Sequence, residues 1–507
     1  MLTLSPIDRY HSEPLDVHRW SDHPEIKDLT DTLYDELGLV DLESKSNNKK
    51  GAHPRVMLRV LLLDLYVRWL KDPNLATGFQ KSVAAYKPNS RYSKLHIGRK
   101  IIKVEQALED HGYLDVLTYY HSNSGAGRSF TTRIRPSQKL QDHYAKLTVS
   151  LFDIDLNYLW ECIILREKFI DENDKISTTY DIEYDDTELT NRLRSQVEAY
   201  NRLLRRTFID IPSFRTSSFT RRITKGPRTG QTSTISIGPD NKYVRRVFSG
   251  GVQSDWKLNG RFYGGWWQQI DKYYRSQIYI NDEPTYEYDL KALHPTLLSN
   301  RAGVELPEDP YALKDHIITH VDRKTQRSYM KLLVLMAINA KSPKMAYAAF
   351  RDSMRGDPVA VSLTDTVLEE LLTAFFLEHP HMEKYLCKGL GLELMGIDGQ
   401  IANMVIDHFT QQSVPVLCIH DSFIINYRLG DELQHVVREA TYQLTGYRIK
   451  QDIKNKRHTA NLQVTGNIAG YQEPVSVDLN TPIRIHPTQE YQTRRDKFYK
   501  WVSLSEF

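Results

Sequence analysis

Apolar positions recur every three to four residues in several stretches of this chain, and each stretch predicts a helix. The first runs from about Pro54 to Leu70. Asn89 and Ser90 offer N-cap chemistry for a second, and Ile97 to Glu109 forms a third that ends at His111-Gly112. The period then changes: Tyr113 to Tyr120 reads as a strand, Ser122 to Gly127 as a turn and Ser129 to Arg135 as the returning strand. Helical spacing resumes around Leu293 to Ala302, Leu313 to His320, Asp322 to Lys341, Thr364 to Glu378, Asp398 to Phe409 and Glu432 to Leu444. Among these helices, Tyr286-Glu287-Tyr288-Asp289 ends a strand. Val414 to Ile419 and Phe423 to Tyr427 form a hairpin whose turn is His420-Asp421-Ser422.

With 507 residues, 40% hydrophobic and 26% charged, the chain can bury substantial cores and should form two or three domains. The opening MLTLSPIDRYHSEP has no basic segment leading into an apolar run. The richest apolar run, Val60 to Val67, is too short and too interrupted by Asp64 to span a bilayer, so the expectation is a cytoplasmic protein without a membrane partner. Cys162, Cys387 and Cys418 are isolated, which argues against structural zinc and a disulfide framework. The net charge of +3 is modest, so nucleic-acid binding rests on local basic clusters.

Three stretches carry chemistry together. Asp289 and Asp421 sit at the ends of different strands, where two carboxylates suit a pair of Mg²⁺ ions, with Mn²⁺ as an alternative, about 3.5 to 4 Å apart in phosphoryl transfer. A lone aspartate at a strand end is usually a solvated turn residue. The helix from Asp322 to Lys341 changes the picture: it lacks Gly and Pro, and Arg327, Lys331, Leu335 and Asn339 recur at every fourth position. Arg327 and Lys331, one turn apart, suit a triphosphate, and Leu335 and Asn339 suit a base and sugar.

The Arg-x3-Lys-x3-apolar-x3 spacing resembles the fingers helix of family A DNA polymerases and of the single-subunit RNA polymerases of phage and mitochondria. Asp289-Leu290-Lys291-Ala292-Leu293-His294 resembles their first palm motif, and Ile419-His420-Asp421-Ser422-Phe423 their second; the likeness covers about Arg245 to Gly446. It implies that Asp289 and Asp421 hold the metals, with the Leu290 carbonyl as a further ligand. It also gives Arg327 and Lys331 the triphosphate, Leu335 the nascent base pair and His420 the primer terminus. Asn339 stands where the family has Tyr, and His294 where the DNA enzymes have a Glu that excludes a ribose hydroxyl.

Tyr92 to Leu140 resembles a winged helix, with Arg91, Lys94, Arg99, Lys100 and Lys103 on its recognition region and Arg128, Arg133 and Arg135 on its wing. Arg221 and Arg222 in a basic loop, and Arg245 and Arg246 beside an aromatic run, are further candidates for a nucleic-acid backbone. The expected fold is therefore α+β: a compact palm-and-fingers (right-hand) polymerase domain preceded by a mostly helical region with a winged helix. The expected divisions are 1–52, a helical and winged-helix module at 53–145, a connector at 146–235, the catalytic domain at 236–450 and an extension at 451–507. The expected activity is template-directed nucleotidyl transfer from dNTPs or NTPs on a DNA template. A DNA polymerase is slightly favoured over an RNA polymerase or primase, and a non-catalytic DNA-binding replication or control protein is the alternative from another class.

Overall fold

The structure, a computed structural model, describes residues 6–43, 53–86, 90–92, 97–118, 131–155, 160–170, 177–453 and 484–504. Lys94, Arg128 and the expected turn Ser122 to Gly127 lie outside them. The fold is α+β, and the chain divides into two units: residues 1–162, 216–221 and 231–243 in one, and 163–215, 222–230 and 244–507 in the other. The expected stretches 1–52 and 53–145 fall within the first unit, the connector 146–235 is divided between the two, and 236–243 belongs to the first unit. The segment 1–52 joins the first unit because Ile26, Leu29 and Leu33 on the helix Pro24–Glu36 share its core with the helix Pro54–Lys71.

In the first unit, the helix Pro54–Lys71 buries almost every side chain from Met57 to Arg68. A helix apolar on all sides belongs at the centre of a core, and here Pro24–Glu36 and Ile101–Asp110 cover it. A four-stranded sheet in the order Ser12–Pro14, Ala76–Phe79, Thr132–Pro136, Leu114–Leu117 completes the unit; its first pair is parallel and the other two are antiparallel. The one acid within the apolar run, Asp64, is fully buried and accepts from Arg68 Nε, Arg19 Nε and Thr77 Oγ1, each at 2.9 Å. Arg68 also pairs with Glu13, and Lys71 with the buried Asp240. A charge placed inside a core survives only when paired in this way.

The second unit contains a four-stranded and a six-stranded sheet. One runs Asn259–Gly264, Val244–Ser249, Ile163–Ile170, Ser177–Asp181. The other has Glu283–Leu290 at its middle: Ser422–Asn426 and then Leu417–Ile419 lie on one side, and Tyr279–Ile280 and Ile209–Asp210 on the other. Gln451–Ile453 pairs with its last residues. The helices Arg323–Asn339, Pro343–Ser353, Asp365–Glu378, Gly391–Gln411 and Gly430–Thr445 belong to this unit.

Several boundaries differ from expectation for identifiable reasons. Leu313 to His320 is not helical, because side chains of the following helix take its backbone groups: Gln326 Oε1 accepts from Ile318 N at 2.9 Å and Gln326 Nε2 donates to Asp315 O at 2.8 Å. The helix expected from Asp398 starts at Gly391 and runs through two glycines. Within the expected tail, Gln489–Leu504 forms a helix that packs Tyr491 and Phe498 against Phe208. The basic stretch around Arg221 forms a hairpin of Ser218–Arg222 and Thr232–Ser236. No described helix is long and apolar enough to cross a membrane.

Candidate active site

Glu283–Leu290 is a nearly continuous buried run, as a strand covered on both faces should be. Its antiparallel register with Ser422–Asn426 sets Tyr288 opposite Phe423 and Asp289 opposite Ser422, and the Ser422 hydroxyl donates to Asp289 Oδ1. The Leu290 amide donates to the Asp421 carbonyl at 3.0 Å. Backbone pairing therefore brings Asp289 and Asp421 to the same end of the sheet.

The Ile419–Ser422 pair leaves His420 and Asp421 as a two-residue loop, a connection that requires positive φ. His420 supplies it at φ 54°, and Ala292, just past the other strand end, lies at φ 46°. Such left-handed side chains cost on the order of 1 to 3 kcal/mol each and persist only when their surroundings hold them.

Charged side chains from a neighbouring helix and strand lie against this end. The helix Gly391–Gln411 packs directly on Asn259–Gly264, because a Cβ at Gly396 would collide with the Lys257 carbonyl and one at Gly399 with the Gly260 backbone. That approach pairs buried Asp398 with Arg261 Nε, and Arg261 Nη2 stands 3.2 Å from His294 Nε2. Burial pushes the Asp398 carboxyl up to about 7; Arg261 opposes the shift, and Asp421 adds to it. Burial and then Arg261 hold His294 down to about 4, and burial, Arg261 and Arg275 do the same to His420.

The helix Arg323–Asn339 begins at Asp322, whose carboxylate accepts from Thr325 N at 2.6 Å. Tyr329, Met330, Leu333, Val334, Ala337 and Ile338 face the core. Lys331, Leu335 and Asn339 are exposed on the other side, with Arg327 half-buried at the same stripe. Arg327 is paired with Asp309, and its guanidinium lies 5.9 Å from the Tyr311 ring. Lys331 has no ion-pair partner among the described residues, and the Asn339 amide donates back to Leu335 O at 2.8 Å. Burial raises the pKa of the Tyr311 hydroxyl; Arg327 eases that rise, and Asp309, Asp421 and Asp289 add to it. Tyr311 thus lies in the field of both the helix cation and the two strand-end carboxylates.

The basic candidates separate by burial. Arg246 is buried, donating to Gly260 O at 2.9 Å, Asn403 Oδ1 at 2.9 Å and Gly399 O at 3.2 Å, and is a strut inside the unit where a backbone contact was expected. Arg135 is likewise buried, against Asp115 at 2.9 Å and Asn74 at 3.3 Å. Arg246 shares a strand face with buried Val244 and Phe248, whereas Arg135 lies on the face opposite core residue Ile134 and is covered by its partners; a count of basic residues registers neither. Arg133 Nε donates to Arg9 O at 3.0 Å, Lys100 to Leu42 O at 2.6 Å, and Arg91 pairs with Glu161 at 3.6 Å. Arg99 and Arg222 are exposed, while Arg221 and Arg245 are half-buried. Trp266 and Trp267 are core, and Trp267 Nε1 donates to Cys418 O at 3.1 Å behind the His420 turn.

Asp398 and Tyr311 escaped the motif reading. Gly396-Ile397-Asp398-Gly399, with an acid between glycines three apart in an apolar helix, was a usable signal; nothing marked Tyr311.

Among the described residues no group of three or more His, Cys, Asp or Glu side chains could hold a metal ion. The available donors are hard oxygens, the Asp289 and Asp421 carboxylates and the Leu290 carbonyl. They fit Mg²⁺ in an open shell completed by water and substrate phosphates, and do not fit a closed structural site. No protein-family model and no curated protein matches the sequence.

Proposed function

We propose that the second unit is a palm-and-fingers polymerase domain carrying out template-directed nucleotidyl transfer, as its resemblance to family A polymerases and single-subunit RNA polymerases implies. One observation carries the reading: the sheet register sets Asp289 and Asp421 side by side, with Tyr311 in the field of both and beside Arg327. Arg327 and Lys331 would grip the triphosphate, the exposed Leu335 side chain would meet the base, and His420 would stand beside the growing end. Asp289, Asp421 and the Leu290 carbonyl would hold Mg²⁺, which activates the attacking 3′ oxygen and neutralises charge on the phosphoryl group. The Ser422 hydroxyl orients Asp289, and the strained His420 turn fixes Asp421, so neither carboxylate has to be ordered when substrate arrives.

We read residues 53–145, within the first unit, as a winged-helix module. Its support is the run helix Pro54–Lys71, strand Ala76–Phe79, helix Ile101–Asp110 and strands Leu114–Leu117 and Thr132–Pro136, in which the first strand pairs with the last. With Arg135 internal, exposed Arg99 and Lys103 are its main described candidates for phosphate contact.

The test is incorporation by purified protein with Mg²⁺ or Mn²⁺, labelled NTPs and dNTPs in parallel, and templates with and without primer. Template-dependent extension supports the reading. Its absence under all these conditions, in protein shown to be folded, overturns it.

A further inference from the structure

Between Asp210 and Asp240 the chain has no acidic residue, and it carries Arg215, Arg221, Arg222, Lys225 and Arg228 among serines and threonines. The hairpin of Ser218–Arg222 and Thr232–Ser236 lies in this stretch, and its tip, residues 222–230, belongs to the second unit. The tip is seated on the turn that follows the helix Pro343–Ser353. Gly226 N and Thr229 Oγ1 both donate to Arg355 O at 2.9 Å. Gly356, at φ 98°, lets the Thr224 carbonyl pass where a Cβ would collide with it. Arg222 and Arg228 are exposed on this seated tip and have no ion-pair partner among the described residues. A fixed backbone that presents unpaired guanidiniums among hydroxyls has the chemistry of a phosphodiester contact.

The third cation of the tip leads inward. Lys225 Nζ lies 3.4 Å from Asp357 Oδ2, and Asp357 accepts from the Tyr329 hydroxyl at 3.1 Å and from Ala360 N at 3.2 Å. Tyr329 is buried against Phe350 on the helix Arg323–Asn339, between Arg327 and Lys331 in sequence. Burial and then Asp357 push its pKa up to about 12, so the phenol keeps its proton and donates. The Lys225–Asp357 pair meets solvent, with 55% and 20% of the two side chains exposed, and a polyanion can compete for the ammonium. An ionised carboxylate relieved of its ammonium concentrates its charge on the donors that remain.

We propose that the hairpin tip is a DNA-binding arm coupled to the nucleotide helix: phosphates gripped by Arg222 and Arg228 draw Lys225 off Asp357, Asp357 tightens on the Tyr329 hydroxyl, and the helix that carries Arg327 and Lys331 is held more firmly for the incoming nucleotide. The DNA contact stands on the tip alone, whereas the coupling rests on the polymerase reading. By linkage the effect is reciprocal, so bound nucleotide tightens DNA on the arm by the same factor. Arg222 and Arg228 would touch DNA; Asp357 and Tyr329 act as positioning residues.

The experiment is an equilibrium titration of the full-length protein with a short blunt-ended DNA duplex and with oligo(dT), each over a range of salt. Titration with CTP and dCTP in Mg²⁺ follows, with and without that DNA, alongside parallel incorporation assays. Neither DNA offers these nucleotides a pairing template base, so any tightening comes through the protein. Arg222→Ala/Arg228→Ala should bind DNA less tightly and flatten the plot of log affinity against log salt by roughly 0.7 to 0.9 per lost phosphate contact. DNA should lower the parent's Kd for nucleotide about two- to fivefold, the scale of one solvent-exposed ion pair. Lys225→Ala should bind nucleotide without DNA as tightly as the parent does with it. Tyr329→Phe should keep DNA affinity close to the parent's and lose the gain in nucleotide binding, and thermal melts establish that each variant is folded. A parental salt slope in Arg222→Ala/Arg228→Ala, no gain in the parent, or a gain that survives Tyr329→Phe overturns the inference. Coupled binding without templated synthesis supports the arm and sinks the polymerase reading. Templated synthesis without coupling does the reverse, and failure to bind nucleotide under every condition sinks both.

Discussion

If Arg327 grips a triphosphate, substrate must first draw it away from Asp309, and Asp309→Asn should therefore tighten nucleotide binding. The two side chains are paired with 41% and 35% of their surfaces exposed. Water screens such a pair, and the Coulombic part is worth about 0.2 to 1 kcal/mol. Removing the charge also takes one negative group from the approach of a polyanion, in the same direction. The upper value corresponds to about a fivefold fall in Kd for nucleoside triphosphate. The assay is equilibrium titration of the parent, Asp309→Asn, Arg327→Ala and the double variant. Arg327→Ala alone should weaken binding, and in its background Asp309→Asn should lose most of its effect, because the pair no longer exists. Weaker binding in Asp309→Asn, or an equal gain in both backgrounds, would refute the assignment of Arg327 to the triphosphate.

Lys331→Ala should cut incorporation by on the order of 10²- to 10³-fold if its charge meets the reacting phosphates, and steady-state kinetics unchanged from the parent would return it to an ordinary surface lysine. Asp64→Asn should destabilise the first unit by about 3 to 5 kcal/mol, read as a lower thermal midpoint, because Arg19 and Arg68 lose their buried partner. Burial alone would raise the Asp64 carboxyl, but Arg68 and Arg19 hold it below its ordinary 3.8. Its stabilisation is thus complete above that value and declines as pH falls through the folded pKa, since the unfolded chain takes up the proton first. Acid titration of the parent should lose stability over that range more steeply than Asp64→Asn does. Gly399→Ala should loosen the Gly391–Gln411 helix from Asn259–Gly264 and depress both stability and incorporation, since its methyl would meet the Gly260 backbone; an unchanged thermal midpoint would contradict that packing.

The helix from Asp322 was legible almost to the residue, because its helical spacing, its freedom from Gly and Pro and its cation stripe all point to one element. The hairpin around His420-Asp421 was legible for a similar reason: two buried strands separated by a short polar turn have few other arrangements. Leu313 to His320 misled because its spacing is helical, whereas its backbone is satisfied by Gln326, a residue several positions later whose direction no local pattern reveals. Arg246 and Arg135 misled because burial is decided by tertiary contacts. A basic residue between aromatics serves equally as a surface contact or as an internal strut. Asp398 and Arg261 stand 137 positions apart, and only the close glycine packing of helix on strand makes them neighbours.

The most direct measurement is template-dependent incorporation by Asp289→Asn and Asp421→Asn, each compared with the parent for folding and for duplex binding. Both substitutions keep the shape of the side chain and remove the charge that would hold Mg²⁺. Each variant should retain its thermal midpoint and its affinity for duplex while incorporation falls to background. Parent-level incorporation by either folded variant would contradict the assignment of the two carboxylates to Mg²⁺.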